Sequence, residues 1–248
     1  MTFDIKAEKT TLAGHGGEEI EAYMAQPVGD GPYGGVVVIH HMPGFDRSSK
    51  EIARRLAADE GLIAVMPHLH SREGKGASPD DASAASRAAG GVPDDRLVGD
   101  VEAAMKKIKS LPASNGKVGT IGYCSGGRQS FLAAISLKLD AAVDCYGAFV
   151  VGHPPEGMGL KATPLVDRAK DLSCPLLGLF GADDKHPSSD QVAELEKALA
   201  EHGKTYEFHS YEGAGHAFFD VDRPSYRPEA AVDGWRKIHD FYGRYLAS

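Results

Sequence analysis

A chain of 248 residues with 42% apolar and 25% charged residues has the composition of a globular protein, long enough for one undivided α/β domain with a substantial core. Its 35 acidic residues outnumber 27 Lys and Arg, for a formal charge of -8, which argues against a nucleic-acid partner; no basic run suited to anionic lipid occurs. Three widely spaced cysteines do not make a disulfide framework, and the absence of any CxxC pair or HExxH motif leaves a zinc site without support.

The opening MTFDIKAEKT has no apolar stretch of the kind that targets secretion, and the apolar runs fall far short of the roughly 18 residues that span a bilayer. The expectation is a cytoplasmic protein, off the membrane, either monomeric or a small homo-oligomer.

Residues 20–26 alternate like an edge strand. Gly34 and Gly35 lead into Val36–Ile39, a continuous apolar run of the buried parallel type. A helix is predicted over 48–60, with Ser48 or Ser49 as its N-cap and Gly61 as its stop, followed by a strand over 62–66. Residues 71–93 are rich in Gly, Ser, Ala, Asp and Pro and read as a loop with one short helix. A helix over 96–110, a turn at Asn115-Gly116 and a strand over 117–122 come next. Then follow a helix over 126–138, a strand over 141–146, an irregular Pro- and Gly-containing segment over 147–171 and a strand over 176–180. The chain closes with a helix over 188–202, a strand over 206–211 and an amphipathic helix over 228–246 that turns Ala231, Trp235, Ile238, Phe241 and Leu246 inward. Strands alternating with helices through short connections imply a mostly parallel sheet with helices on both faces, in one domain spanning 1–248.

The stretch Gly122-Tyr123-Cys124-Ser125-Gly126-Gly127 falls where a predicted strand turns into a predicted helix. That is the setting of a nucleophile elbow, G-x-Nu-x-G, in which a side chain at the flanking positions would clash with the neighbouring strand and helix. The helix N-terminus favours an anion, and hence a thiolate, at Cys124. In this fold the chain order is nucleophile, acid, histidine. His216, in the Gly-rich turn Gly213–Phe218, is the candidate base, ahead of His202, His209 and His239, which lie at a helix end, in a strand and within a helix. Asp183 and Asp184 both offer a carboxylate after the strand LLGLF, and Asp184 is preferred. Two backbone amides are expected to hold an oxyanion: that of Ser125, and that of Met42 in the loop His40–Gly44, where Pro43 has no N–H. Cys145 and Cys174 are placed in predicted strands and read as inert packing residues.

The segments GGVVVIHHMPG, SREG, GDVEAAMKKIKSLPASNGKVGTIGYCSGG, AAVDCYG, LFGADDKHPS, YEGAGHAFF and RPSYRPEAAVDGWRKIHDFY together resemble the dienelactone hydrolase family over about nine tenths of the chain. The resemblance implies the α/β-hydrolase fold, an activity on small-molecule esters or lactones, no cofactor or metal, and a triad of Cys124, Asp184 and His216. Two departures stand out. His41 occupies the position of a family glutamate that takes up the thiol proton, so it is expected either to partner the thiolate or to line the acyl pocket. Asp220 stands where family members place an arginine that holds a substrate carboxylate, which favours a neutral ester or lactone. Tyr123, Arg72 and Arg87 join His41 as substrate-pocket candidates. The same triad could act on other acyl or phosphotriester substrates, and a retired hydrolase serving in binding or redox sensing is the reading of a different class.

Overall fold

The structure, a computed structural model describing residues 2–247, is built on an eight-stranded sheet. The strands are β1 (Ile5–Ala13), β2 (Glu19–Pro27), β3 (Tyr33–Ile39), β4 (Ile63–Pro67), β5 (Ser114–Tyr123), β6 (Ala141–Cys145), β7 (Leu176–Gly181) and β8 (Tyr206–Tyr211). Their spatial order is β1-β2-β4-β3-β5-β6-β7-β8. β1 and β2 pair antiparallel, as do β2 and β4; every later neighbour pair is parallel. The helices are α1 (Arg47–Glu60), α2 (Pro79–Ala88), α3 (Asp94–Lys109), α4 (Ser125–Ala134), α5 (Ser189–Glu201) and α6 (Pro228–Tyr245).

Apolar residues alternate between the two faces along the central strands, because successive side chains of a strand point oppositely. Val37 and Ile39 of β3 join a core formed with Leu97 and Val101 of α3, Phe131 of α4 and Leu195 of α5. Val36 and Val38 join the opposite core, with Leu56 of α1 and Ile238 and Phe241 of α6. Helices therefore cover both faces, which explains why β3 and β4 read as unbroken apolar runs. Ala231, Ile238, Phe241 and Leu246 are buried as expected, and Trp235 is partly so.

Four local readings change. Residues 20–26 are not an edge, since β1 pairs with β2 along its whole length. β1 escaped the pattern because Leu12 is its one buried residue: backbone pairing rather than side-chain burial places it. The N-cap of α1 is Asp46, whose Oδ1 accepts the Ser49 N–H at 2.8 Å, so Ser49 is a donor and not the cap. The helix after the elbow stops at Ala134, where Ser173 intervenes: its N–H donates to the Ala134 carbonyl at 3.0 Å. A partner so distant in the chain leaves no local trace. By contrast, α2 is the short helix expected within 71–93, and Ser188 caps α5 through a reciprocal capping box with Gln191.

Parallel pairing aligns the carboxyl ends of β3, β5, β6, β7 and β8 along one edge. Ile39 pairs with Gly122, Tyr123 with Cys145, and Gly181 with Tyr211. Open parallel sheets bind ligands outside this edge.

Candidate active site

Cys124 follows directly on β5 and caps α4 with φ +58° and ψ -120°, a conformation a non-glycine residue rarely holds unless its surroundings impose it. The surroundings are glycine. A Cβ on Gly122 would lie 1.8 Å from the Gly126 carbonyl oxygen, and one on Gly126 would lie 2.2 Å from that of Ile39. Strand, turn and helix backbones thus meet where no side chain fits. Cys124 donates its N–H to the Cys145 carbonyl at 3.1 Å and accepts from Gly127 N–H at 3.0 Å, which fixes the turn from both sides. The thiol itself is partly exposed.

His216, in the loop after β8, donates from Nδ1 to Asp184 Oδ2 at 2.8 Å. The Cys124 thiol stands beside the ring and, with Asp184, favours its charged form. Burial works against a charged imidazole, yet Asp184 and Cys124 outweigh it and raise the His216 pKa to about 10. Asp184 is buried after β7, and its Oδ1 accepts the His186 N–H at 2.9 Å. Both carboxylate oxygens are therefore engaged and the imidazole is held at a set angle. Asp183, in contrast, is exposed and bonds through its backbone N–H to the Ala214 carbonyl.

A cleft opens at Cys124, with two lobes that share Met42, Cys124 and His216. The smaller, of about 320 Å³, is walled by His41, Tyr123, Tyr146, Phe219, Asp220 and Trp235, among others. The larger, of about 560 Å³, takes its walls from Ser125, Arg87, Arg128, Phe149, Leu160 and Asp184, among others. The two irregular segments, 71–93 and 147–171, both reach this larger lobe. Ser125 N–H is the first amide of α4, one of those a helix start leaves without an intrahelical acceptor.

Of the pocket candidates, Tyr123 is buried in the wall of the smaller lobe. Arg87 lines the larger lobe, exposed, with one guanidinium nitrogen 3.1 Å from the Met42 sulfur. His41 lines the smaller lobe, but its Nε2 sits 3.1 Å from Asp46 Oδ2, the carboxylate that caps α1. Asp46 titrates below the ordinary carboxylate range because bonds to His41 and Ser49 outweigh its burial. The Asp46 bond favours His41 as a wall residue over a thiolate partner. Arg72 departs from that expectation: it lines neither lobe and instead grips the fully buried Asp100 and the exposed Glu18. A long side chain can run back under its own loop, and sequence position alone does not show its direction.

Tyr146, Phe219 and Trp235 are pocket residues that the sequence did not mark as such; Trp235 was expected only to face inward from the last helix. Phe219 lies three residues past His216, which was a usable signal; Tyr146 and Trp235 reach the site only through the fold. Asp220 is paired with Arg223 at 2.9 Å on the same wall. Among the described residues, no group of three or more His, Cys, Asp or Glu could hold a metal ion, and no helix is long and apolar enough to cross a membrane. Burial pushes the Cys174 thiol up to about 12 and raises that of Cys145, as expected of packing cysteines.

A parallel sheet sandwiched by helices, with a strained elbow at its carboxyl edge, defines the α/β-hydrolase class. The dienelactone hydrolase family model matches residues 20–246. A Methylorubrum extorquens protein provisionally named a carboxymethylenebutenolidase is 34% identical over 229 residues, 91% of this chain and 77% of that one. A Bradyrhizobium protein provisionally named a 2-oxo-3-(5-oxofuran-2-ylidene)propanoate lactonase is 32% identical over 225 residues, 90% of this chain and 88% of its own. The crystal structure of a provisionally named dienelactone hydrolase from Klebsiella pneumoniae matches with a TM-score of 0.86 at 32% identity, covering 98% of this chain and all of that one. The chain belongs to the dienelactone hydrolase family, and is by that membership a hydrolase of the lactone or ester class.

Proposed function

We propose that this chain hydrolyses a carboxylic ester or lactone through a thioester on Cys124, with His216 as proton carrier and Asp184 as its orienting acid. The observation that carries this reading is the line of three side chains: a strained, partly exposed thiol, an imidazole beside it, and a buried carboxylate bonded to the imidazole. In the attacking state the thiol proton passes to His216. Sulfur attacks the carbonyl carbon, and the amides of Ser125 and Met42 receive the oxyanion. As the carbon–oxygen bond breaks, His216 gives its proton to the leaving alkoxide. Water then adds to the thioester while His216 takes one of its protons. The carbon–sulfur bond breaks, the thiolate returns, and the carboxylic acid leaves.

In the smaller lobe Arg223 is already paired with Asp220, so this pair offers no free cation to a substrate carboxylate, which favours a neutral substrate. The test is direct. Incubation with an aryl acetate, followed by intact-mass measurement, is expected to show one acetyl group on the wild type at early times. Cys124→Ala is expected to show neither adduct nor turnover. Full turnover by Cys124→Ala ends the proposal.

A further inference from the structure

The two lobes differ in chemistry as well as size, and the difference assigns the two halves of a substrate. The smaller lobe is walled by rings that brace one another. Tyr123 meets Phe219 edge-on at 5.6 Å, and Phe219 meets Trp235 edge-on at 5.9 Å. Tyr146 lies 6.3 Å from Phe219. Tyr123, Tyr146 and Phe219 are buried, and the Arg55 guanidinium lies 4.0 Å from the Trp235 ring centre, holding the outermost ring. Such walls present ring faces and edges in fixed positions, the surface against which a further aromatic ring packs well. The larger lobe has a different rim: Arg87, Lys161 and Lys185 are all exposed there. It is the roomier side of Cys124, about 560 Å³ against about 320 Å³.

A thioester mechanism treats the two halves of an ester unequally. The acyl half stays on sulfur through both chemical steps and gains from a rigid, complementary wall. The alcohol half must depart before water can enter, and the roomier lobe suits departure. We infer that this enzyme prefers open-chain esters with an aromatic acyl arm, seated among Tyr146, Phe219 and Trp235, whose alcohol leaves through the lobe lined by Arg87 and Leu160. A compact lactone ties both arms into one ring and leaves one lobe unfilled. This inference rests on the thioester reading above and adds the substrate's shape to it.

The experiment uses four esters, ethyl and benzyl alcohol each joined to acetic and phenylacetic acid, with γ-butyrolactone as the fifth substrate. Hydrolysis is followed by pH-stat. Ile52, which lines the smaller lobe, and Val92, which lines the larger, are each replaced by Trp. Ratios of kcat/KM are read within each variant, so a fall in folded fraction cancels. For the wild type, phenylacetyl esters are expected to exceed acetyl esters, and benzyl phenylacetate to exceed γ-butyrolactone, each by at least tenfold. Ile52→Trp is expected to cut the phenylacetyl-to-acetyl ratio at least tenfold and to leave the benzyl-to-ethyl ratio within twofold. Val92→Trp is expected to do the reverse. The inference is overturned if Ile52→Trp leaves the acyl ratio unmoved or shifts the alcohol ratio instead, or if the lactone is the best substrate. Loss of all five activities only in Cys124→Ala, with the lobe variants behaving alike, would keep the thioester reading and sink this one. Activity surviving in Cys124→Ala would sink both.

Discussion

Arg72 holds Asp100 with two nitrogens, Nη1 at 2.8 Å and Nη2 at 3.0 Å, on a carboxylate with no exposed surface. Asp100 also accepts the His15 N–H at 2.8 Å, so the pair pins the β1–β2 connection to α3. The guanidinium pKa is raised, chiefly by its bond to Asp100. Removing one partner of such a pair strands a buried charge at a cost of about 3–5 kcal/mol. Arg72→Ala is therefore expected to lower the thermal unfolding midpoint by well over 5 °C, while kcat/KM of the folded fraction stays within about twofold. A variant with unchanged stability and lost activity would return Arg72 to the substrate.

The comparison of Arg72 with Cys124 shows what local sequence can reveal. The elbow is a short-range object: glycines within four residues, a strand before and a helix after, all adjacent in the chain. Its constraints appear as residue types at fixed offsets. His216 and Asp184 were legible for the same reason, since each sits in a loop whose place follows from strand order. The direction of Arg72 and the convergence of Tyr146, Phe219 and Trp235 depend on packing between elements far apart in the chain. β1 failed differently, because its register lies in backbone hydrogen bonds that any side chain can accompany.

His41 and Asp46 give the second test. With its Nε2 on the cap of α1, His41 has a structural partner already. His41→Ala is expected to leave the pH profile of Cys124 alkylation by iodoacetamide superimposed on that of the wild type. It is expected to raise KM several-fold, with a smaller change in kcat, as a lost wall contact does. An alkylation profile displaced by the substitution would make His41 a thiolate partner after all.

The pH dependence of turnover follows from His216. Its folded pKa, about 10, lies above the ordinary histidine value of 6.5, so the imidazolium, the proposed proton donor to the alkoxide, persists through neutral pH and is lost as pH rises through about 10. The attraction to Asp184 contributes stability that is complete below about 6.5 and disappears over the same alkaline range. The alkaline limb of kcat/KM is expected near pH 10. Asp184→Asn removes the charge that helps raise this pKa, so the limb is expected to move to lower pH, and kcat to fall by about 10²- to 10⁴-fold. A limb that stays in place in Asp184→Asn would detach the carboxylate from the imidazole.

Beneath the loop that carries Met42 lie three buried histidines, and they set the acid side. The rings of His40 and His70 are 4.9 Å apart, and His68 stacks on Phe45 at 4.2 Å. His40 donates from Nδ1 to the His41 carbonyl at 2.8 Å and accepts the Leu69 N–H on Nε2 at 3.1 Å, so a second proton on that ring would break a bond. Burial, and then His68, lower the His70 pKa to about 4; Glu73 and the Pro43 carbonyl pull the other way, and Arg96 adds to the lowering. Around His68 stand Glu21, Lys50 and Lys9, which leave its pKa lowered by burial. A histidine depressed on folding stabilises the native state above about 6.5, and that contribution is lost as pH falls toward 4, for roughly 3 kcal/mol at His70. The unfolding midpoint is expected to drop between pH 7.5 and 4.5, and to drop less in His70→Asn, which keeps a polar group and cannot charge. Because Pro43 and Met42 share the loop that His70 supports, turnover is expected to fade over the same interval and to recover on return to neutral pH. Parallel midpoint slopes for the wild type and His70→Asn would remove this cluster from the acid response.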